Sequence, residues 1–204
     1  MIELLIFPYS GSGMEVLDCI CDLSKTAFIS DDINYVGKTK SGIKIMQRNA
    51  INTNKSSKII LVNGSVKSFL NRKKTILDFN IPYERYSTVI HPSAIISRFS
   101  KIGKNVFISA GVTIGPNVII EDHVIVLADT TIHHDSIIRK YSIICGKVLI
   151  AGNVEINENC YIGASTSIKN NIRIGENCLV GMGSLVLTDF EANQICYGSP
   201  AKSK

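Results

Sequence analysis

From Ile90 to Val186 an isoleucine or valine stands at every sixth position without exception, seventeen residues in all. Neither the 3.6-residue period of an amphipathic helix nor the alternation of a simple strand requires this spacing. A six-residue repeat predicts a parallel β-helix, in which three six-residue faces close one triangular coil. Residue n then lies over residue n + 18, and the span makes about 5.4 coils, roughly 26 Å tall at the strand spacing of a sheet. Four residues after each aliphatic comes a small or β-branched residue, such as Val106, Thr130, Ser136, Ser142, Cys160, Cys178 and Ser184. These are expected to fill the prism corners. Three residues after each aliphatic, ten of the fourteen positions from 105 to 183 are Asn, Asp or Gly. Those types tolerate the positive φ that a tight corner needs.

Before the repeat the pattern changes. IELLIF (2–7) predicts a buried strand, and after PYSGSG the apolar periodicity from Met14 to Leu23 predicts a helix. TAFISDD and SKIILVNGS predict two further strands, and VKSFLNRKKTILDFN a second helix. Strands alternating with helices imply a small parallel α/β unit. The change of pattern between Tyr86 and Pro92 divides the chain into residues 1–87 and 88–204. Ligands of such sheets bind at the carboxyl ends of the strands. Those ends are the Ser10, Gly11, Ser12, Gly13 loop, then Asp31 and Asp32, then residues 63–65. The glycine pair reads equally as a nucleotide loop or an ordinary tight turn.

Charge narrows the function classes. Residues 1–89 carry 12 basic and 8 acidic side chains, and the whole chain is +5. There is no dense basic stripe with interleaved aromatics, so nucleic acid is not an expected partner. A modest positive bias suits phosphate-bearing small molecules. Glu3 interrupts the apolar start and no run reaches spanning length, which predicts a cytoplasmic protein without membrane insertion. The six cysteines are then expected to be thiols, with Cys160 and Cys178 as core fillers and Cys19 and Cys21 in the first helix. No cysteine pair has zinc-ligand spacing, and no metal is expected.

Only four histidines could do acid–base work: His91, His123, His133 and His134. His123 falls in the positive-φ column and His91 at the domain junction, and both read as structural. TIHHDS concentrates the chemistry. His134 lies two past inward Ile132, so it points away from the core, and Asp135 beside it could fix its tautomer. Eighteen residues on is Gly152. A glycine there leaves room for a ligand and offers a bare N–H to a developing oxyanion.

IHPSA, the hexapeptide prism, the His–acid pair, AGNVEI and the terminal GSPAK resemble the nucleotide-sugar and sialic acid acetyltransferases. The resemblance implies a Rossmann-like α/β domain followed by a left-handed parallel β-helix. It implies acetyl-CoA bound along the prism between neighbouring subunits of a homotrimer, with the acceptor sugar near the neighbour's N-terminal domain. It implies His134 as general base, Asp135 as its partner and Gly152 as the oxyanion donor. Ala164, Gly181, Met182 and Gly183, with Gly152, would contact CoA, and the 198–202 tail would lie near it. The implied reaction is N-acetylation of a nucleotide-linked amino sugar in surface-glycan biosynthesis. O-acetylation of sialic acid or another sugar is the alternative. Three positions differ from the family: Ile143 replaces a second His, PYSGSG replaces its GxGGxG loop, and His133 replaces an acidic residue. The uninterrupted hexad register points away from the antibiotic and galactoside subgroup, which carries a protruding loop. A γ-carbonic-anhydrase-like metalloenzyme would need three converging His, and a scaffold would have lost the site.

Overall fold

The computed structural model describes residues 1–37, 39–40 and 42–204. The chain opens with β1 (Leu4–Phe7), α1 (Gly11–Leu17), β2 (Thr26–Ser30), β3 (Thr39–Lys40), β4 (Ile43–Gln47), α2 (Ala50–Thr53), β5 (Lys58–Leu61) and α3 (Phe69–Asp78). These strands form one sheet in the order β3-β4-β2-β1-β5, parallel except for β3 against β4. The alternation of side chains sorts its two faces. Ile6, Phe28, Ile45 and Ile60 point to one side, and Leu5, Phe7, Ala27, Ile29, Ile59 and Leu61 to the other.

The first helix is shorter than its apolar period suggests, ending at Leu17 rather than Leu23. Cys19 and Ile20 donate to Val16 O and Leu17 O, tightening the chain into turns. Asp22 then caps a separate 3-10 turn, Leu23–Lys25, by accepting from Ser24 N. Cys19 and Cys21 therefore lie beyond the helix. The strand β4 was not foreseen, although Ile43 and Ile45 are buried on either side of exposed Lys44.

From residue 89 the chain winds into a three-faced prism of two-residue strands, all parallel between coils. The first face carries Ile95–Ile96, Thr113–Ile114, Thr131–Ile132, Leu149–Ile150, Ser167–Ile168 and Leu185–Val186. The second carries Lys101–Ile102, Ile119–Ile120, Ile137–Ile138, Glu155–Ile156 and Arg173–Ile174. The third runs from Val89–Ile90 through Phe107–Ile108, Ile125–Val126, Ile143–Ile144 and Tyr161–Ile162 to Leu179–Val180. It is extended by Ile195–Gly198 and an antiparallel Ala201–Ser203. Register is n to n + 18, as in Ile114 over Ile132 over Ile150.

The aliphatic column is fully buried from Ile108 onward. Its first members are not: Ile90 is 39 % exposed and Ile96 and Ile102 are half-buried, because no coil covers them. The corner column behaves as its composition predicts. Thr130, Ser136 and Ser142 are buried, and each hydroxyl donates to a carbonyl fifteen residues on: Cys145, Ala151 and Asn157. The same oxygens accept the N–H eighteen residues on, from Val148, Val154 and Cys160. Cys160 and Cys178 are buried fillers whose thiols donate to Gly175 O and Glu191 O. All fourteen positions of the turn column have positive φ, including Tyr141, Lys147 and Ser165. Register here overrides residue preference.

The α/β sheet lies on the third face. Phe107, Ile125 and Ile143 share a buried cluster with Ile6, Phe28, Ile60 and Phe69. Gly64, at φ +139°, passes so near that a Cβ would stand 2.5 Å from Ile143 Cδ1. Asn105 Oδ1 accepts from Leu61 N at 2.7 Å, and its amide donates to His123 Nδ1 at 3.0 Å. His123 stacks on Tyr141 and meets the Tyr86 ring edge-on. Burial and, next, the Arg72 guanidinium push its imidazole down to about 4.

Candidate active site

The edge between the first and second faces lies opposite the face that carries the α/β domain. His134 sits on this edge, in the turn between Thr131–Ile132 and Ile137–Ile138. Ile132 anchors one side in the core and Ser136 the other, so the intervening residues project outward. The His134 side chain is 59 % exposed.

Its Nδ1 is 2.7 Å from Asp135 Oδ2. An ionised carboxylate can only accept, so Nδ1 carries the proton and Nε2 presents a lone pair. Asp135, at φ +60°, is held below the usual carboxylate range first by the Asn117 amide and then by His134. That amide donates to Oδ1 at 3.0 Å. The coil beneath secures the backbone, with Asn153 N donating to His134 O.

Gly152 lies under the imidazole, as the eighteen-residue register requires. A Cβ there would stand 2.7 Å from His134 Cε1 and 2.8 Å from Nε2. Its φ is not in the positive range, so the need for glycine comes from space rather than turn geometry. Among the described residues no acceptor takes the Gly152 N–H. An imidazole oriented by a carboxylate therefore stands beside a backbone N–H without a protein acceptor, groups of the kind that acyl transfer can use.

The other predicted site residues fall elsewhere. His133 is exposed beside His134, with its N–H given to Ile150 O. Ala164 and the Gly181, Met182, Gly183 run occupy the edge between the third and first faces, in later coils. They flank the first face on the side away from His134. A single chain does not bring the two groups together. Ile143 is buried against the α/β domain.

The loops after β1 and β2 neighbour one another, since those strands pair and Tyr9 N donates to Ile29 O. Ser10 caps α1 by accepting from Gly13 N. Gly13 is buried against Pro8 O and Phe28, whereas nothing stands within 4 Å of a Cβ at Gly11. Asp32 caps the Ile33–Tyr35 turn. Asp31 pairs through both carboxylate oxygens with Arg48, whose guanidinium lies over the Phe79 ring. Tyr9 and Tyr35 meet edge to face here, and the buried Asn63 Oδ1 at the end of β5 has no protein partner. Asn63 lies at the third strand end expected from the sequence, whereas Arg48 and the tyrosines were not foreseen, because only tertiary contact places them. Asn117 could have been found: it is Asp135 minus eighteen.

His123 lies on a different edge from His133 and His134, buried under the α/β domain. Among the described residues no three His, Cys, Asp or Glu side chains converge as a metal set, and no helix is long and apolar enough to cross a membrane.

Residues 153–188 match the bacterial transferase hexapeptide (six repeats) family, and residues 85–147 match the GMPPB C-terminal domain. No curated protein matches the chain by sequence. Solved structures align over its full length. The acetyltransferase domain of PglB from Neisseria gonorrhoeae, in complex with acetyl coenzyme A, is 20 % identical. The match covers 99 % of this chain and 98 % of that one, at a TM-score of 0.86. A variant of perosamine N-acetyltransferase from Caulobacter crescentus, with CoA and GDP-perosamine, is 20 % identical over 99 % and 96 %, at 0.86. WeeI from Acinetobacter baumannii is 18 % identical over 100 % of both chains, at 0.68. Residues 153–188 of the prism thus match a hexapeptide-repeat model, and the whole chain has the fold of these proteins.

Proposed function

We propose that this hexapeptide-repeat transferase chain is an acetyl-CoA-dependent acetyltransferase acting on the amino group of a nucleotide-linked amino sugar. The observation that carries the reading is the arrangement at residue 134. Asp135 accepts a hydrogen bond from Nδ1–H, Nε2 is left bare, and Gly152 provides both the space beneath and an unclaimed N–H.

Acetyl-CoA supplies the acetyl thioester and leaves as the thiol. His134 Nε2 accepts a proton from the attacking amine, and Asp135 stabilises the imidazolium that results. The Gly152 N–H meets the charge that develops on the carbonyl oxygen. Gly152 also suits the group sterically, since any Cβ would fill the space under the imidazole.

We read residues 88–204 as the CoA-binding, left-handed β-helix and residues 1–87 as a Rossmann-like acceptor domain. The molecule works as a cytoplasmic homotrimer with sites between chains. Two placements support a shared site. The α/β domain covers the third face while His134 lies on the opposite edge, and Ala164 and Gly181–Gly183 lie on another edge again. One chain alone thus separates acceptor domain, CoA contacts and base. The ligands in the Caulobacter structure, CoA and GDP-perosamine, support the substrate class.

The test is thiol release from acetyl-CoA across UDP-, TDP- and GDP-linked 4-amino sugars, with sialic acid included. Turnover on an amino sugar that falls in His134→Ala by 10²–10⁴-fold, the range of general base catalysis, is expected. Activity on hydroxyl acceptors alone would move the protein to O-acetylation. Full activity in His134→Ala with loss in His133→Ala would reassign the base.

A further inference from the structure

The turn columns of the prism form ladders in which one coil's side-chain amide reaches the next. Asn153 Nδ2 donates to Asn171 Oδ1 at 2.7 Å, and Asn159 Nδ2 to Asn177 Oδ1 at 2.8 Å. Asn117 and Asp135 are another such pair, at 3.0 Å. This pair differs from the others in what its lower member does next. Asp135 makes no ladder contact to Asn153 below. It turns its second oxygen sideways onto His134 Nδ1.

We propose that Asn117 is a positioning residue for His134: it pins Asp135 Oδ1 so that Oδ2 stays on Nδ1 and the lone pair stays on Nε2. The Asp135 side chain is half exposed, so packing does not fix its carboxylate. The backbone of residue 135 is fixed by its N–H to Pro116 O, which leaves side-chain rotation as the open variable. An amide donor on Oδ1 removes it. The donor is itself placed by the prism, because Asn117 holds φ +59° one coil above. A neutral imidazole released from that carboxylate can carry its proton on either nitrogen, and one of the two tautomers has no base at Nε2. The inference rests on the reading of His134 as base for its kinetic consequence, but its structural core does not need turnover.

The experiment uses the intact protein labelled with ¹⁵N-histidine. Long-range ¹H–¹⁵N correlation reads the His134 tautomer directly. Asn117→Gly keeps a residue suited to positive φ and deletes the donor, and Asn117→Asp keeps the shape and substitutes an acceptor. Wild type is expected to hold the Nδ1–H form, and both variants to shift toward Nε2–H. Where the protein turns over, kcat should fall by about tenfold with KM for acetyl-CoA unchanged, the low end for losing a partner one contact removed. Asn177→Gly, which breaks a ladder on a different edge, should change neither readout. An unmoved tautomer in both Asn117 variants overturns the proposal, as does an equal shift in Asn177→Gly. A shift of tautomer in a protein without acetyl transfer would uphold the positioning role and sink the proposed function alone.

Discussion

Gly152 and His134 are eighteen residues apart and touch, so a single methyl group decides whether the imidazole keeps its place. Gly152→Ala puts a Cβ within 2.8 Å of Nε2 and 2.7 Å of Cε1. The ring must rotate away, and a displacement of that size can cost on the order of 10²-fold in kcat. Since Gly152 has no positive φ, the variant should keep the wild-type melting temperature. Paired kinetic and thermal measurements check both halves. Asp135→Asn replaces an obligate acceptor by a group that can also donate, and so removes the preference for the Nδ1–H tautomer. A loss of about 10²–10⁴-fold is expected, again read as kcat. The hydrogen bonds from Asn117 and His134 keep Asp135 ionised through the neutral range. The acid limb of the activity profile should therefore not report Asp135.

At the scale of elements, the seam between α/β sheet and prism holds His123 in its neutral form, at about 4. Burial is the main cause, followed by Arg72; Lys140 acts the same way and Asp122 opposes. The ordinary value is 6.5, so the unfolded chain takes up the proton first. Stability contributed by the neutral ring is complete above that value and is lost as pH falls from there toward 4. By linkage the loss reaches about 2–3 kcal/mol near pH 4.5. Urea unfolding at pH 7 and 4.5 should show it, and His123→Asn, which tolerates the turn, should flatten that part of the slope. The prism elements were legible in the sequence because one residue type recurs at one spacing, and every column points to one inward direction. Even His123 in the turn column could be read as structural. The α/β elements were less legible. The Ile43–Ile45 alternation of β4 spans a single repeat of the pattern, while the end of α1 is set by turns at Cys19 and Ile20 that apolar periodicity does not register. The His134–Asp135 pair stood out in TIHHDS, and coil arithmetic placed Gly152 beneath it. The acceptor side could not be read this way, because Arg48 meets Asp31, and Tyr9 meets Tyr35, only after the sheet has formed.

The whole molecule places its α/β domain and His134 on opposite sides of one prism. On the shared-site proposal a solitary chain of 22.3 kDa would be an incomplete enzyme. Sedimentation should give a species of three chains, and variants that dissociate should lose activity even with His134, Asp135 and Gly152 intact. A monomeric protein with full turnover would defeat the shared-site reading. The mixed clusters at the seam also make the α/β domain part of the prism's third wall. Gly64→Ala, which forces a Cβ against Ile143, should lower stability and raise KM for the acceptor more than for acetyl-CoA.

The uneven burial of the aliphatic column has a further consequence. Ile90 is 39 % exposed and Ile96 and Ile102 are half-buried at one end, whereas Phe190, Cys196 and Ala201 close the other. Each coil touches only the coils above and below it, so the prism behaves as a one-dimensional chain of coupled units with unequal ends. Opening such a chain is a zipper that starts where the fewest neighbours hold it. The amides of Ile95 and Ser97, bonded to Val112 O and Ile114 O, should exchange with deuterium first, and those of Thr131 and His133 last. The edge that carries His134 then sits in a slower-opening stretch, protected by its distance from the frayed end.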